Sequence, residues 1–240
     1  MDPVLSCLLS YGLVCGVATP PKPKEPDLPP VTDFDGTEPK AEKGAASKVL
    51  AKVQTHYDGT TDMQADFTQT YVHPVYGTKT VSKGKLRIKK PGKMVWDYAE
   101  SDNPDMWVED DQLTIVERDT KQVLRKDVGS SDFAGAEKFL FGGKQLLEDF
   151  QVKLAGEKLI TRYGIAGHTA IRLKPKVKNP HYRELLLVVD DASGRVDAFV
   201  VLNADDSTNH FVLAGAKRNG VLADSEFQFV KPKGFTEIEG

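Results

Sequence analysis

An alternation of apolar and polar residues begins after Gly59 and, with one interruption, runs through the rest of the chain. Met63, Ala65, Phe67, Gln69 and Tyr71 alternate with polar partners, as do Leu86 and Ile88 with Lys85, Arg87 and Lys89. Met94, Trp96 and Tyr98 follow, then Met106 and Val108, then Leu113 and Ile115. Successive side chains of a strand point to opposite faces, so a period of two marks strands with one dry face. The turn formers His73-Pro74, Pro91-Gly92, Asn103-Pro104 and Asp110-Asp111 separate the runs, which is the spacing of antiparallel hairpins.

Two segments depart from that period. Residues 47–57 place Val49, Leu50, Val53 and Tyr57 at helical spacing, with Ser47 as the N-cap. Residues 132–150 carry Phe133, Ala136, Phe139, Leu140, Leu146, Leu147 and Phe150 around Gly142-Gly143, a pattern of two short helices with a hinge. Strands are expected again at 152–154, 159–163, 170–173, 184–190, 195–203, 210–218 and 225–230. Ten or eleven strands that are apolar on one side cannot lie flat, because sheets twist and long ones curl. Two or three helices are too few to cover both faces. The expected fold is therefore mainly β: a curved antiparallel sheet forming an incomplete, half-open β-barrel with a hydrophobic cavity, closed by a few α-helices.

The first 45 residues read differently. Residues 4–18 are apolar and uncharged, end in Gly-Val-Ala, and have the size of a leader's hydrophobic region, although no positive residue precedes them. They are expected to be a signal peptide or a lipoprotein leader; in the second case Cys7 or Cys15, the two cysteines of the chain, would carry the lipid. Residues 19–45 hold seven prolines and read as a flexible linker. The folded domain is placed at 46–240.

Charge and motifs argue against several functions. A net charge of -3, scattered in both signs, provides no basic field for nucleic acid. The histidines His56, His73, His168, His181 and His210 show no metal-ligand spacing, and neither a nucleophile elbow nor a phosphate loop occurs. Asp190-Asp191 before Ser193-Gly194 lacks the alternating carboxylates of a calcium loop and reads as a hairpin turn. No catalytic residue, metal or cofactor is expected. The inward positions are rich in Met63, Phe67, Met94, Trp96, Tyr98, Met106, Phe139, Phe141, Phe199, Phe211, Phe227 and Phe229, side chains that adapt to irregular ligands or simply pack a core.

Residues 84–98 (GKLRIKKPGKMVWDY) closely resemble the second-to-third strand hairpin of the periplasmic lipoprotein carriers, the LolA family. Residues 65–69 (ADFTQ) resemble that family's first strand, and 107–112 (WVEDDQ) stand where it has a glycine-containing turn, here without the glycine. Residues 227–235 (FQFVKPKGF) look like its closing strand and turn. The resemblance implies a periplasmic chaperone, working as a monomer, that holds the acyl chains of lipoproteins. It would receive them from an inner-membrane lipoprotein-releasing ABC transporter and pass them to an outer-membrane acceptor. Phe67, Leu86, Ile88, Met94, Trp96, Tyr98 and Met106 are the expected cavity lining, with Phe139, Leu140 and Phe141 on the lid. Lys90 stands where the family has a basic residue, usually arginine, that latches the lid. Lysine offers a point charge in place of a five-donor fork. A lipid-anchored acceptor of the same fold at the periplasmic face of a membrane, and a regulatory lipid sensor, are the alternatives.

Overall fold

The computed structural model describes residue 34 and residues 44–100, 103–110, 112–128 and 146–239. The leader, most of the proline-rich stretch, Phe139, Leu140 and Phe141 lie outside the described residues. Within them, one twelve-stranded sheet organises the molecule. Its first half is β1 (Asp62–Val72), β2 (Lys79–Lys89), β3 (Lys93–Tyr98), β4 (Asp105–Glu109), β5 (Gln112–Glu117) and β6 (Gln122–Asp127). The second is β7 (Phe150–Leu154), β8 (His168–Pro175), β9 (Tyr182–Asp190), β10 (Val196–Asn203), β11 (Thr208–Arg218) and β12 (Thr236–Glu239). The order is β12-β6-β5-β4-β3-β2-β1-β11-β10-β9-β8-β7. Neighbours are antiparallel except β12, which runs parallel to β6. β12 and β7 remain the two edges, so the curled sheet is an incomplete barrel.

Among the described residues three helices accompany it: α1 (Ala45–Asp58), α2 (Leu146–Asp149) and α3 (Glu157–Tyr163). The helix expected at 47–57 is α1, but its cap differs. Gly44, in the left-handed region at φ 84°, takes the N-cap position, and Ser47 lies inside the first turn. Residues 159–163 are not a strand: Leu159 and Tyr163, four apart, are the buried stripe of α3. Residues 225–230 are not a strand either. Asp224–Phe227 forms a 3-10 turn, Phe229 packs on Trp107 with ring centroids 5.3 Å apart, and Arg125 sits 5.7 Å above the Phe229 ring. Trp107 and Met106 are neighbours on β4 and point to opposite faces. Phe229 is therefore on the outer face, not the inner one. β6 has too short an apolar signal to stand out, with Val123-Leu124 alone among polar residues.

The two faces are not equally polar along the sheet. The concave face holds the main core, to which α1 contributes Leu50, Val53 and Tyr57. A second core lies on the outer face beneath α3, with Leu186, Val188, Ala198, Val200 and Leu202. The continuous run Leu185-Leu186-Leu187-Val188-Val189 is the trace of a strand buried on both sides. On that outer face the His210 ring meets Tyr163 edge-on at 4.9 Å, and among the described residues its Nε2 has no hydrogen-bond partner. Burial, reinforced by the nearby charge of Arg162, pushes His210 down to about 4.

The unfolded chain would take up this proton near 6.5, whereas the folded one refuses it until about 4. Stability is then lost as pH falls through that interval. Urea unfolding should find the protein about 2–3 kcal/mol less stable at pH 4.5 than at pH 7 from this residue alone. His210→Gln should remove that component, and an identical pH profile in the variant would refute it.

Candidate functional site

Strand register brings the expected lining together. Met63, Ile88, Met94 and Val108 form one row across β1 to β4, and Ala65, Leu86, Trp96 and Met106 form the next. Phe67, Gly84 and Tyr98 form a third. Across β1, Phe211, Phe199 and Leu187 continue the surface over β11, β10 and β9. Phe67, Leu86, Ile88, Met94, Trp96 and Tyr98 are buried in one cluster, and Met106 is a partly buried member of its margin.

The aromatic rings meet at the centre. Phe67 stands edge-on to Trp96 at 4.8 Å and to Tyr98 at 4.9 Å. Phe211 lies 5.1 Å from Trp96 and stacks on Phe199 at 4.7 Å. Offset and edge-on pairs of this kind add to the burial of apolar area. The Trp96 indole N–H donates to Met94 Sδ at 3.0 Å. The rim turns polar at one place, where Tyr98 Oη donates to Gln69 Oε1 at 2.6 Å and Gln69 Nε2 to Asn209 Oδ1 at 2.7 Å. Burial raises the Tyr98 phenol well above its ordinary pKa, so it stays a neutral donor.

The glycine of the third row makes room for the rings. A Cβ on Gly84 would lie 2.7 Å from Phe67 Cζ and 2.2 Å from the Asp97 carbonyl oxygen. Without one, β3 approaches closely and the Phe67 ring lies over the strand.

α1 closes this face, and its carboxyl end is where the sheet grips it. A helix leaves its last carbonyls unpaired and carries partial negative charge there. Lys90 Nζ donates to the Tyr57 carbonyl, Arg218 Nη1 to the His56 carbonyl at 3.3 Å, and Asn219 Nδ2 to the Gly59 carbonyl at 3.1 Å. Two cations and an amide, from the β2–β3 hairpin and the end of β11, thus complete the helix terminus. Burial lowers the Lys90 ammonium pKa, while Asp58 opposes the shift. The β9–β10 turn holds α1 from another side: His56 Nδ1 lies 3.0 Å from the Ser193 carbonyl, and Lys52 Nζ donates to the Asp191 carbonyl at 3.1 Å. Residue type and spacing do not mark Arg218 and Asn219, because their partners on α1 are backbone carbonyls.

Among the described residues, His168, Asp190 and Asp197 could converge on a metal ion. Their separation in sequence hides them from spacing rules. His168 Nε2 lies 2.8 Å from Asp197 Oδ2, but Arg195 binds both oxygens of Asp197, and Asp190 accepts from the Ser193 amide and hydroxyl. The arginine already supplies the charge a cation would bring. Burial pushes the His168 imidazole down, yet its bonds to Asp197 and the Ala166 carbonyl outweigh this and hold it above its usual value. This group is an ion-paired brace between β8 and β10.

A family model described as "Outer membrane lipoprotein carrier protein LolA" matches residues 58–230. An outer-membrane lipoprotein carrier protein of Ralstonia nicotianae is 24% identical over 204 residues, covering 82% of this chain and 89% of that protein. Its counterpart in Methylobacillus flagellatus is 26% identical over 196 residues, covering 77% and 86%. Among solved structures, an uncharacterized conserved protein from Thermus thermophilus matches with a TM-score of 0.51 at 11% identity, over 82% of this chain and 99% of that one. That likeness concerns the fold alone.

The packing around Gly84 makes a direct prediction. Gly84→Ala should cost about 2 kcal/mol in urea unfolding, because either Phe67 or β3 must move. An unchanged midpoint would mean the close approach carries no weight.

Proposed function

The chain belongs to the outer membrane lipoprotein carrier protein LolA family, and from that premise we propose that it is a periplasmic chaperone sheltering the acyl chains of lipoproteins against its concave face. It would take them from a lipoprotein-releasing transporter in the inner membrane and yield them to an outer-membrane acceptor. The observation that carries this reading is the unbroken apolar surface from Met63 to Phe199, rich in methionine and aromatic side chains and closed by α1.

The energetics suit a carrier. Each buried CH₂ contributes about 0.8 kcal/mol, so an acyl chain of about fifteen methylenes represents about 12 kcal/mol. Phe67, Trp96, Phe199 and Phe211 already cover one another when α1 is seated. Loading exchanges these contacts for contacts with lipid, and the net affinity is the difference. An empty state that satisfies its own lining lowers the net affinity and so favours release.

Lys90 is the proposed latch, with the carboxyl end of α1 as its seat. A charge-assisted bond of a half-exposed lysine contributes about 1 kcal/mol, roughly a fivefold bias towards the closed, empty form. That form is the product of delivery.

Two experiments test this. Met106 and Trp107 are adjacent, half-buried and on opposite faces. Met106→Glu should lose at least tenfold in affinity for a fluorescent fatty acid, while Trp107→Glu should keep it; equal losses would remove the concave face from binding. Lys90→Leu should load triacylated lipoprotein normally and hand it on severalfold more slowly in a transfer assay. Unchanged transfer kinetics would leave Lys90 as a structural cap only.

A further inference from the structure

Phe34 lies in the proline-rich stretch ahead of α1, yet it is 4% exposed and belongs to the outer-face core with Leu186, Val188 and Leu202. The Arg172 guanidinium sits 5.8 Å above its ring. Arg172 is itself locked in a two-pronged pair with Glu184, at 2.5 and 2.9 Å, so its face is fixed for an aromatic partner. Beside Phe34 opens a cavity of about 810 Å³, lined among others by Lys174, Lys176, Lys178, Arg183 and Tyr182. The three lysines and Arg183 are exposed. In the sequence Phe34 stands between Asp33 and Asp35, with Glu38 close behind. An aromatic anchor within an acidic segment thus meets a largely aliphatic seat, capped by Arg172, with a basic rim.

We propose that this outer-face cavity is a docking site for an acidic, aromatic-anchored peptide, and that its resident is the chain's own segment around Phe34. The site is on the opposite face from the acyl lining and is independent of the carrier reading. Only about ten residues join Phe34 to α1, and a tether that short holds its anchor at an effective concentration in the millimolar range. Modest contacts therefore suffice to keep the site filled. Phe34 is consequently the point at which the chain ahead of α1 is pinned to the outer face.

A fluorescein-labelled peptide of residues 29–40 tests this on the full chain. Phe34→Ala empties the site and should bind the peptide at least tenfold more tightly than the unaltered protein does. Raising salt from about 50 to about 500 mM should weaken that binding severalfold, and a peptide with alanine in place of the phenylalanine should not bind. Equal affinity for both proteins, or no binding to Phe34→Ala, would overturn the proposal. A second readout does not depend on that variant: Lys174→Glu with Lys178→Glu, two exposed positions, should speed proteolytic cleavage between residues 31 and 37 severalfold in the chain that retains Phe34. Cleavage at the unaltered rate would equally count against a basic rim holding an acidic segment.

Discussion

The carboxyl end of α1 is the joint on which the concave face depends. A curled sheet with one apolar side must cover that side, and α1 does so with Leu50, Val53 and Tyr57. The same helix ends in carbonyls that need donors, and the sheet supplies Lys90, Arg218 and Asn219. Cover and fastening therefore reside in different parts of one helix. Apolar contacts set how much α1 gains by packing on this face, and a few polar bonds at its end set where it sits. On the proposed carrier reading, weakening these bonds would shift α1 without dismantling the surface beneath it.

The concave face has a second property that follows from its composition. Its large residues touch one another: Phe67 reaches Trp96 and Tyr98, and Phe211 reaches Trp96 and Phe199. A rigid, empty pocket would bind hydrocarbon with nearly the full transfer energy and hold it too long. A lining that collapses on itself returns part of that energy when the cargo leaves. Methionine and aromatic side chains, adaptable in shape, can serve both states, and the gap at Gly84 gives Phe67 its resting place.

Much of this architecture was legible in the period of the sequence. Where one face was wet, as in β1 and β2, alternation marked strand, face and register neighbours alike, and the seven expected lining residues fall on one surface. Where both faces were dry the pattern lost its meaning. Residues 184–190 read as a strand, but neither the second core nor the helix α3 that covers it followed from that reading. Phe227 and Phe229 have strand spacing, yet they plug the outer face, because alternation in a loop says nothing about which side of a sheet it crosses. Lys90 was visible through family resemblance; its seat on Tyr57 was not, since a backbone carbonyl leaves no trace in residue type. Phe34 sat among prolines, where composition argues for a solvated chain, and a single buried ring barely alters composition.

The central claim is that acyl chains lie against the concave face. Ile115 and Thr114 are adjacent on β5, the first beside Met106 on the concave side and the second on the outer side. A photoreactive benzoylphenylalanine at each position, irradiated with triacylated lipoprotein present, compares the two faces within one strand. Cross-linking to the acyl chains is expected from position 115 and none from position 114. Equal yields, or cross-links from position 114 alone, would contradict the claim.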